Sequence, residues 1–315
     1  MIVVGPTGSG KSDLAIRLAL ELDGEIVNCD SLQIYKGLDI GTAKVPERDR
    51  RNVPHHLIDL IEPTQIFTAG EYADAGRAVL REIAGRSRIP LVVGGTGFYL
   101  RALLEGLFPG PPRDAAVRAQ LESRERSRPG SLHRILSRLD PASAARIHAN
   151  DKNKIIRALE VRLLAGQPIS SMFELGRDPL SGFKTIKLGL DPERGLLNER
   201  LDSRTASIFA RGLVEEVRAL VAAGVPADAK AFESLGYKES VLVIQGRLSM
   251  EAAVTSTQNE TRQYAKRQAT WFRKEEGVRW LHGFGDDPAV QDQGLEIVRE
   301  ELAAENHLPG ASAPA

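Results

Sequence analysis

Thiols, long apolar runs and a net charge are what this 315-residue chain lacks. Its one cysteine, Cys29, excludes an internal disulfide and a cysteine-rich metal centre, and suits a reducing compartment. No apolar stretch approaches the ~20 residues of a membrane-spanning helix, and no signal peptide precedes Ile2, so a cytoplasmic protein without a membrane partner is expected. The 42 basic and 42 acidic residues cancel, which removes any argument from overall charge about a nucleic-acid partner. No internal repeat is present. The length allows two modest domains or one large domain with an insertion.

The charge that cancels overall is unevenly spread. Residues 113–166 read as short helices and hold twelve arginines and lysines against six acids, a bias that suits a polyanionic partner. Residues 275–306 hold nine acids and two arginines. Between them, a helix predicted over 255–274 carries five positive charges from Arg262 to Lys274 and no acid. At 100° per residue Arg262, Lys266 and Arg273 share one side, with Arg267 beside them and Tyr264, Trp271 and Phe272 opposite. A solvated amphipathic helix explains the aromatics, but it explains less well why every charge has one sign.

The most informative stretch is the first dozen residues. Ile2, Val3 and Val4 read as a strand, and Gly5-Pro6-Thr7-Gly8-Ser9-Gly10-Lys11-Ser12 has the G-x-x-x-x-G-K-S spacing of a phosphate-binding loop. Glycines let successive N–H groups face an anion, Lys11 adds a point charge, and the Ser12 hydroxyl is a candidate ligand for Mg²⁺. Leu14, Ala15, Leu18, Ala19 and Leu22 predict the helix that follows, its positive end at the phosphates. A second strand over 25–30 ends at Asp30, the edge where an open parallel sheet gathers ligands. A helix over 69–85, with Tyr72, Ala75, Val79 and Ile83 on one face, leads to a buried strand over 89–93. This alternation predicts an α/β fold with a parallel sheet flanked by helices. The third strand runs into Gly94-Gly95-Thr96, where an ATP-hydrolysing enzyme usually carries an acid. Asp30 is therefore a candidate for other chemistry. The pair His55-His56 has no third metal ligand and reads as loop histidines.

Beyond the Pro/Gly-rich residues 108–112 the composition changes, which marks a boundary. A strand returns over 185–190, followed by one long helical region over 193–223 with Arg200 and Arg204. Residues 308–315 read as a disordered tail.

Taken together, GPTGSGKS at 5–12, DSLQIYKGLDIGTAK at 30–44, VPHHLID at 53–59, GGTGFYLRAL at 94–103, RALEV at 157–161, LGYKE at 235–239 and YAKRQATWFRK at 264–274 resemble the bacterial tRNA dimethylallyltransferase family over nearly the whole chain. The resemblance implies transfer of a dimethylallyl group from dimethylallyl diphosphate to N6 of the adenosine beside the anticodon of tRNA, with Mg²⁺ at Ser12. It also implies a catalytic core over 1–110 and 183–306, a helical insertion over 111–182 that binds the anticodon stem-loop, a tail over 307–315 and a monomer. Carried onto this sequence, Gly5 to Ser12 bind the diphosphate, Asp30 is the general base, Thr96 bonds near the amine and Arg204 grips the leaving group. Asp30, Ser31, Leu32, Gln33, Thr96, Lys154, Arg157, Arg262, Lys266, Arg267 and Arg273 are the implied tRNA contacts, Ser31 and Gln33 at the entrance for the flipped base. The segment at Ile208-Phe209 departs from the family pattern, so Arg200 stands beside Arg204 as a second candidate. Three other readings remain open here: a prenyltransferase of free adenine nucleotides, a small-molecule kinase and a non-catalytic RNA-binding module.

Overall fold

The structure, a computed structural model, describes residues 1–306; the expected tail over 307–315 lies outside the described residues. Contacts divide the chain into two units, Met1–Leu103 with Gly182 onward, and Leu104–Ser181. The Pro/Gly-rich residues 108–112 fall within the second unit.

The first unit begins with β1 (Ile2–Val4), α1 (Lys11–Glu21), β2 (Gly24–Asn28), β3 (His55–His56), α2 (Ala69–Gly85), β4 (Ile89–Val93) and α3 (Gly97–Glu105), whose last turn crosses the division. The second unit holds α4 (Ala115–Ser127), α5 (Ser131–Leu139), α6 (Pro141–Arg146), α7 (Lys152–Ala165) and α8 (Ile169–Met172). The first unit then resumes with β5 (Lys187–Leu190), α9 (Arg194–Ala210), α10 (Leu213–Ala222), α11 (Tyr237–Ile244), α12 (Met250–Phe272), β6 (Val278–Leu281) and α13 (Pro288–Asn306).

The six strands form one parallel sheet in the order β3-β2-β4-β1-β5-β6. Because all are parallel, their carboxyl ends share an edge, which receives the phosphate loop after β1, Asp30 after β2, Gly94 to Thr96 after β4 and residues 283–287 after β6. Leu14, Leu18, Leu91, Leu188 and Leu281 are fully buried in the core beneath this edge, each burial contributing about 1.5–3 kcal/mol. Val290, Leu295 and Val298 of α13 join the same core.

Three expectations change. The predicted helix over 193–223 is two helices, because Gly212 adopts φ 100° and begins α10 in a left-handed turn. The buried face of α2 uses Tyr72, Ala73, Gly76, Leu80 and Ile83, whereas Ala75 and Val79 are half-buried, so the apolar stripe is displaced from the expected one. The strand β6 and the helix α13 lie in a segment that charge alone had characterised. Val-Arg-Trp-Leu pairs in register with β5 at the sheet edge, where Arg279 can face solvent and mask the strand pattern.

The histidines make up β3 and are both hydrogen-bonded. His55 Nδ1 donates to Val53 O at 2.8 Å and His56 Nε2 to Glu25 Oε2 at 2.6 Å. Among the described residues no group of three or more His, Cys, Asp or Glu could hold a metal, and no helix is long and apolar enough to cross a membrane.

Candidate active site

Helix α1 begins without a side-chain cap: Gly10 occupies the N-cap at φ 84° and offers no side chain. The first-turn N–H groups are therefore available to an anion, and the helix dipole favours one there. They face a cavity of about 220 Å³ lined by Thr7, Gly8, Gly10, Lys11, Ser12 and Asp13, and across from them by Asp30, Gln33, Arg200 and Arg204. Gly5, Pro6 and Ser9 are buried behind this lining. Pro6 O accepts a bond from Lys11 Nζ at 2.7 Å.

Burial pushes the Lys11 ammonium down to about 8; Asp30 opposes the shift and Arg204 adds to it. Arg204 is likewise lowered by burial, with Asp30 opposing. The Asp13 carboxyl is raised, first by burial and next by Asp286. An anion entering this cavity meets cations whose charge is costly until it arrives. Inorganic diphosphate is accordingly expected to bind more weakly as pH rises above about 8, by up to about tenfold per unit, because free Lys11 then loses a proton that the complex must take up again. Calorimetric affinities between pH 7 and 10 check this, and a flat profile would separate Lys11 from the anion.

Asp30 is fixed by its own loop. Asn28 Oδ1 accepts from Asp30 N at 3.1 Å, and Asp30 Oδ1 accepts from Leu32 N at 2.9 Å. This Asx turn commits one carboxylate oxygen and leaves the other for a ligand. Asp30 also lines a second cavity, of about 320 Å³, with Ser31, Leu32, Thr42, Tyr264 and Arg267. The two cavities share Thr7, Asp30, Thr42 and Arg204, which makes those residues the junction between them. Gln33 departs from expectation: it lines the phosphate-loop cavity and donates to Thr42 O at 3.2 Å, while Ser31 and Leu32 line the other. Thr96 is bonded to the segment that carries Asp30, its Oγ1 accepting from Ser31 N at 3.0 Å and its N–H donating to Cys29 O at 3.1 Å.

The basic residues of α12 and of the turn that ends it separate into two groups. Lys266 and Arg267 are exposed and line a groove with Arg101, Gln263, Trp271 and Lys274, in which the Arg101 guanidinium lies 4.5 Å from the Trp271 ring centre. Arg262 is paired with Asp202 and Asn259, and Arg273 with Asp191 at 3.2 Å, so both carry a counter-charge from the first unit itself.

Within the second unit Lys154 is exposed and bonds to Asp151, the residue that caps α7, at 2.7 Å. Arg157 is held inside its unit: it donates to Glu160 at 2.7 Å and to Pro111 O at 2.9 Å.

Sequence reasoning passed over Gln268. It is buried on α12, accepts from Thr7 N at 2.8 Å and donates to Gly95 O at 2.8 Å, so one amide joins the phosphate loop to the loop after β4. Its signal is a polar residue in helical register with Ala265 and Phe272 on the buried stripe. Tyr264 and Thr42, both lining the second cavity, had not been singled out for it either.

The lining would fit Mg²⁺: Ser12 lines the phosphate-loop cavity with Asp13 and Asp30, oxygen donors of the kind this ion takes beside phosphate oxygens and waters.

The IPP transferase family model matches residues 33–275. A tRNA dimethylallyltransferase of Solibacter usitatus is 55% identical over 300 residues, covering 95% of this chain and 98% of that protein. One of Koribacter versatilis is 52% identical, covering 95% and 97%. Among solved structures, the full-length tRNA isopentenylpyrophosphate transferase of Bacillus halodurans superposes with a TM-score of 0.70 at 34% identity, covering 96% of this chain and 95% of that one. A eukaryotic dimethylallyltransferase acting on tRNA gives a TM-score of 0.79 at 27% identity, covering 99% and 81%. The phosphate loop, the strand-end aspartate and these similarities agree: the chain belongs to the IPP transferase family of prenyltransferases.

Proposed function

We propose that the protein transfers a dimethylallyl group from dimethylallyl diphosphate to N6 of the adenosine beside the anticodon of tRNA. The observation that carries this reading is the junction of two cavities at Asp30 and Arg204, one built for phosphate and the other open beside it. The names of the relatives support the coarser part of it, a dimethylallyl group transferred to tRNA.

The diphosphate sits on the N-terminus of α1 against Lys11, and Arg204 stands where the bridging oxygen leaves. In the other cavity an adenine extruded from its loop presents N6 to Asp30. The N6 lone pair forms the new N–C bond, the C–O bond to diphosphate breaks, and its electrons leave with the diphosphate. The N6 proton passes to the free oxygen of Asp30. Preorganised N–H groups, Lys11 and Arg204 stabilise the charge that builds on the leaving group. Ser12 would hold Mg²⁺ with the diphosphate oxygens, and when bound the ion supplies Lewis-acid stabilisation of the departing charge.

The test is one incubation of protein, Mg²⁺ and unmodified tRNA with either dimethylallyl diphosphate or ATP, followed by mass analysis of nucleosides. One five-carbon unit on adenosine, only with the prenyl donor, is expected. Prenyl groups on free AMP, or ATP consumption with unchanged tRNA, would replace this reading.

The exposed pair on α12 supports contact with the tRNA backbone. Replacing both Lys266 and Arg267 by glutamine is expected to weaken tRNA binding and reduce the slope of log affinity against log salt by about one to two. An unchanged slope assigns the pair to solvent.

A further inference from the structure

The segment after β6, residues 283–287, lies beyond the part of the chain that the family model matches. It is nonetheless fastened to the phosphate loop. Gly285 N donates to Ser9 O at 2.8 Å. A Cβ on Gly10 would stand 2.7 Å from Gly285 N and 2.8 Å from Asp286 Oδ1, so at this position the two loops are in backbone contact.

Arg200 of α9 is mounted on this segment. Its guanidinium lies 4.7 Å from the Phe284 ring centre, and its Nη1 donates to Asp286 Oδ1 at 2.7 Å. A guanidinium has five N–H donors in one plane, so a ring face and one carboxylate oxygen fix its plane and leave donors unspent. Arg200 lines the phosphate-loop cavity and not the second one, whereas Arg204 lines both. The two arginines therefore divide the cavity: Arg204 stands at the junction with Asp30, and Arg200 stands away from it.

We propose that Arg200 is a second diphosphate-binding residue, directed at the phosphate farther from the reacting carbon, and that Phe284 and Asp286 are positioning residues that hold it there. This rests on the donor-site reading above. Asp286 adds a second effect: it neutralises Arg200 while the cavity is empty, and it keeps the guanidinium oriented when the anion arrives. Arg200 thus contributes to holding the donor in the ground state as well as the transition state, the pattern that changes KM more than kcat.

The experiment uses the full chain. Affinities for inorganic diphosphate and for dimethylallyl monophosphate, each with Mg²⁺, are measured by calorimetry for wild type, Arg200→Gln, Asp286→Asn and the double variant, beside KM and kcat for the donor. Arg200→Gln is expected to weaken diphosphate about tenfold and raise the donor KM similarly, with kcat and monophosphate affinity within about twofold, the loss of a charge-assisted contact. Asp286→Asn is expected to weaken diphosphate about threefold, and the double variant to be no weaker than Arg200→Gln, because Asp286 acts through Arg200. Arg200→Lys, which keeps the charge without the planar fork, is expected to recover only part of the loss.

Wild-type diphosphate affinity in Arg200→Gln overturns the proposal, and so does an equal loss for the monophosphate. Additive losses in the double variant, or tighter binding in Asp286→Asn, overturn the positioning role. If wild-type protein binds diphosphate but transfers no dimethylallyl group to tRNA, the functional reading fails while the affinities still decide the role of Arg200.

Discussion

Asp30→Asn is expected to lower single-turnover transfer by about 10²–10⁴-fold, the range for removal of a general base. The amide retains a carbonyl oxygen that can accept from Leu32 N, as Asp30 Oδ1 does at 2.9 Å, so the turn at the end of β2 persists. What it loses is the second, basic oxygen of a residue that lines both cavities. Diphosphate is expected to bind the variant as tightly as wild type or more tightly, because Asp30 is the carboxylate that interacts with both Lys11 and Arg204. Transfer and donor affinity thus move apart, which a collapsed site would not allow. A single-turnover rate within tenfold of wild type would remove Asp30 as the base and redirect the search to the other groups at the junction.

The second large effect concerns the unit over Leu104–Ser181. Glu160 of α7 is fully buried and ionised there. Its carboxylate accepts from Arg118 Nε at 2.8 Å and Nη2 at 3.0 Å, from Arg157 Nη1 at 2.7 Å and from Asp114 N at 2.9 Å. Burial alone would raise its pKa, yet the bonds from Arg118, Arg157 and Asp114 outweigh it and hold the group down to about 2. Glu160→Gln keeps the shape but leaves two arginines facing a neutral amide, a change expected to cost about 3–5 kcal/mol. Native-state hydrogen exchange of the amides along α7 reads that loss in the full chain. A depressed carboxylate stabilises above its ordinary pKa and loses its contribution as pH falls through the folded value. In wild type the protection of α7 is therefore expected to decline between pH 4.5 and about 2, and in the variant this part of the decline is absent. A loss below 1 kcal/mol would reduce the cluster to surface ion pairs.

The same cluster holds one of the implied tRNA contacts, Arg157. In the motif RALEV the glutamate is a buried counter-ion, and Arg157, an implied tRNA contact, is shared with that glutamate and a backbone carbonyl. A string of letters does not show which arginines also carry a bond within their own unit. Arg262 of α12 and Arg273, which follows the helix, are paired in the same way, with Asp202 and Asp191 arriving from distant parts of the chain.

What the sequence determined by itself is whatever depends on neighbours along the chain. Strand, glycine-rich turn and uncapped helix make the phosphate loop within the first dozen residues, because dihedral freedom and helix polarity act locally. The parallel sheet followed from alternating strands and helices, and Asp30 from its place where a strand stops. The tertiary structure alone decided which residues meet. Thr7 and Gln268 are 261 positions apart and share a hydrogen bond. Gly10 and Gly285 touch because β1 and β6 end on the same edge of one sheet. Arg200 and Arg204 are one helical turn apart and look equivalent in sequence, yet one lies at the junction of two cavities and the other on the ring of Phe284. That difference arises from packing, which brings segments together by burying their apolar faces and leaves no trace in the spacing of the residues it joins.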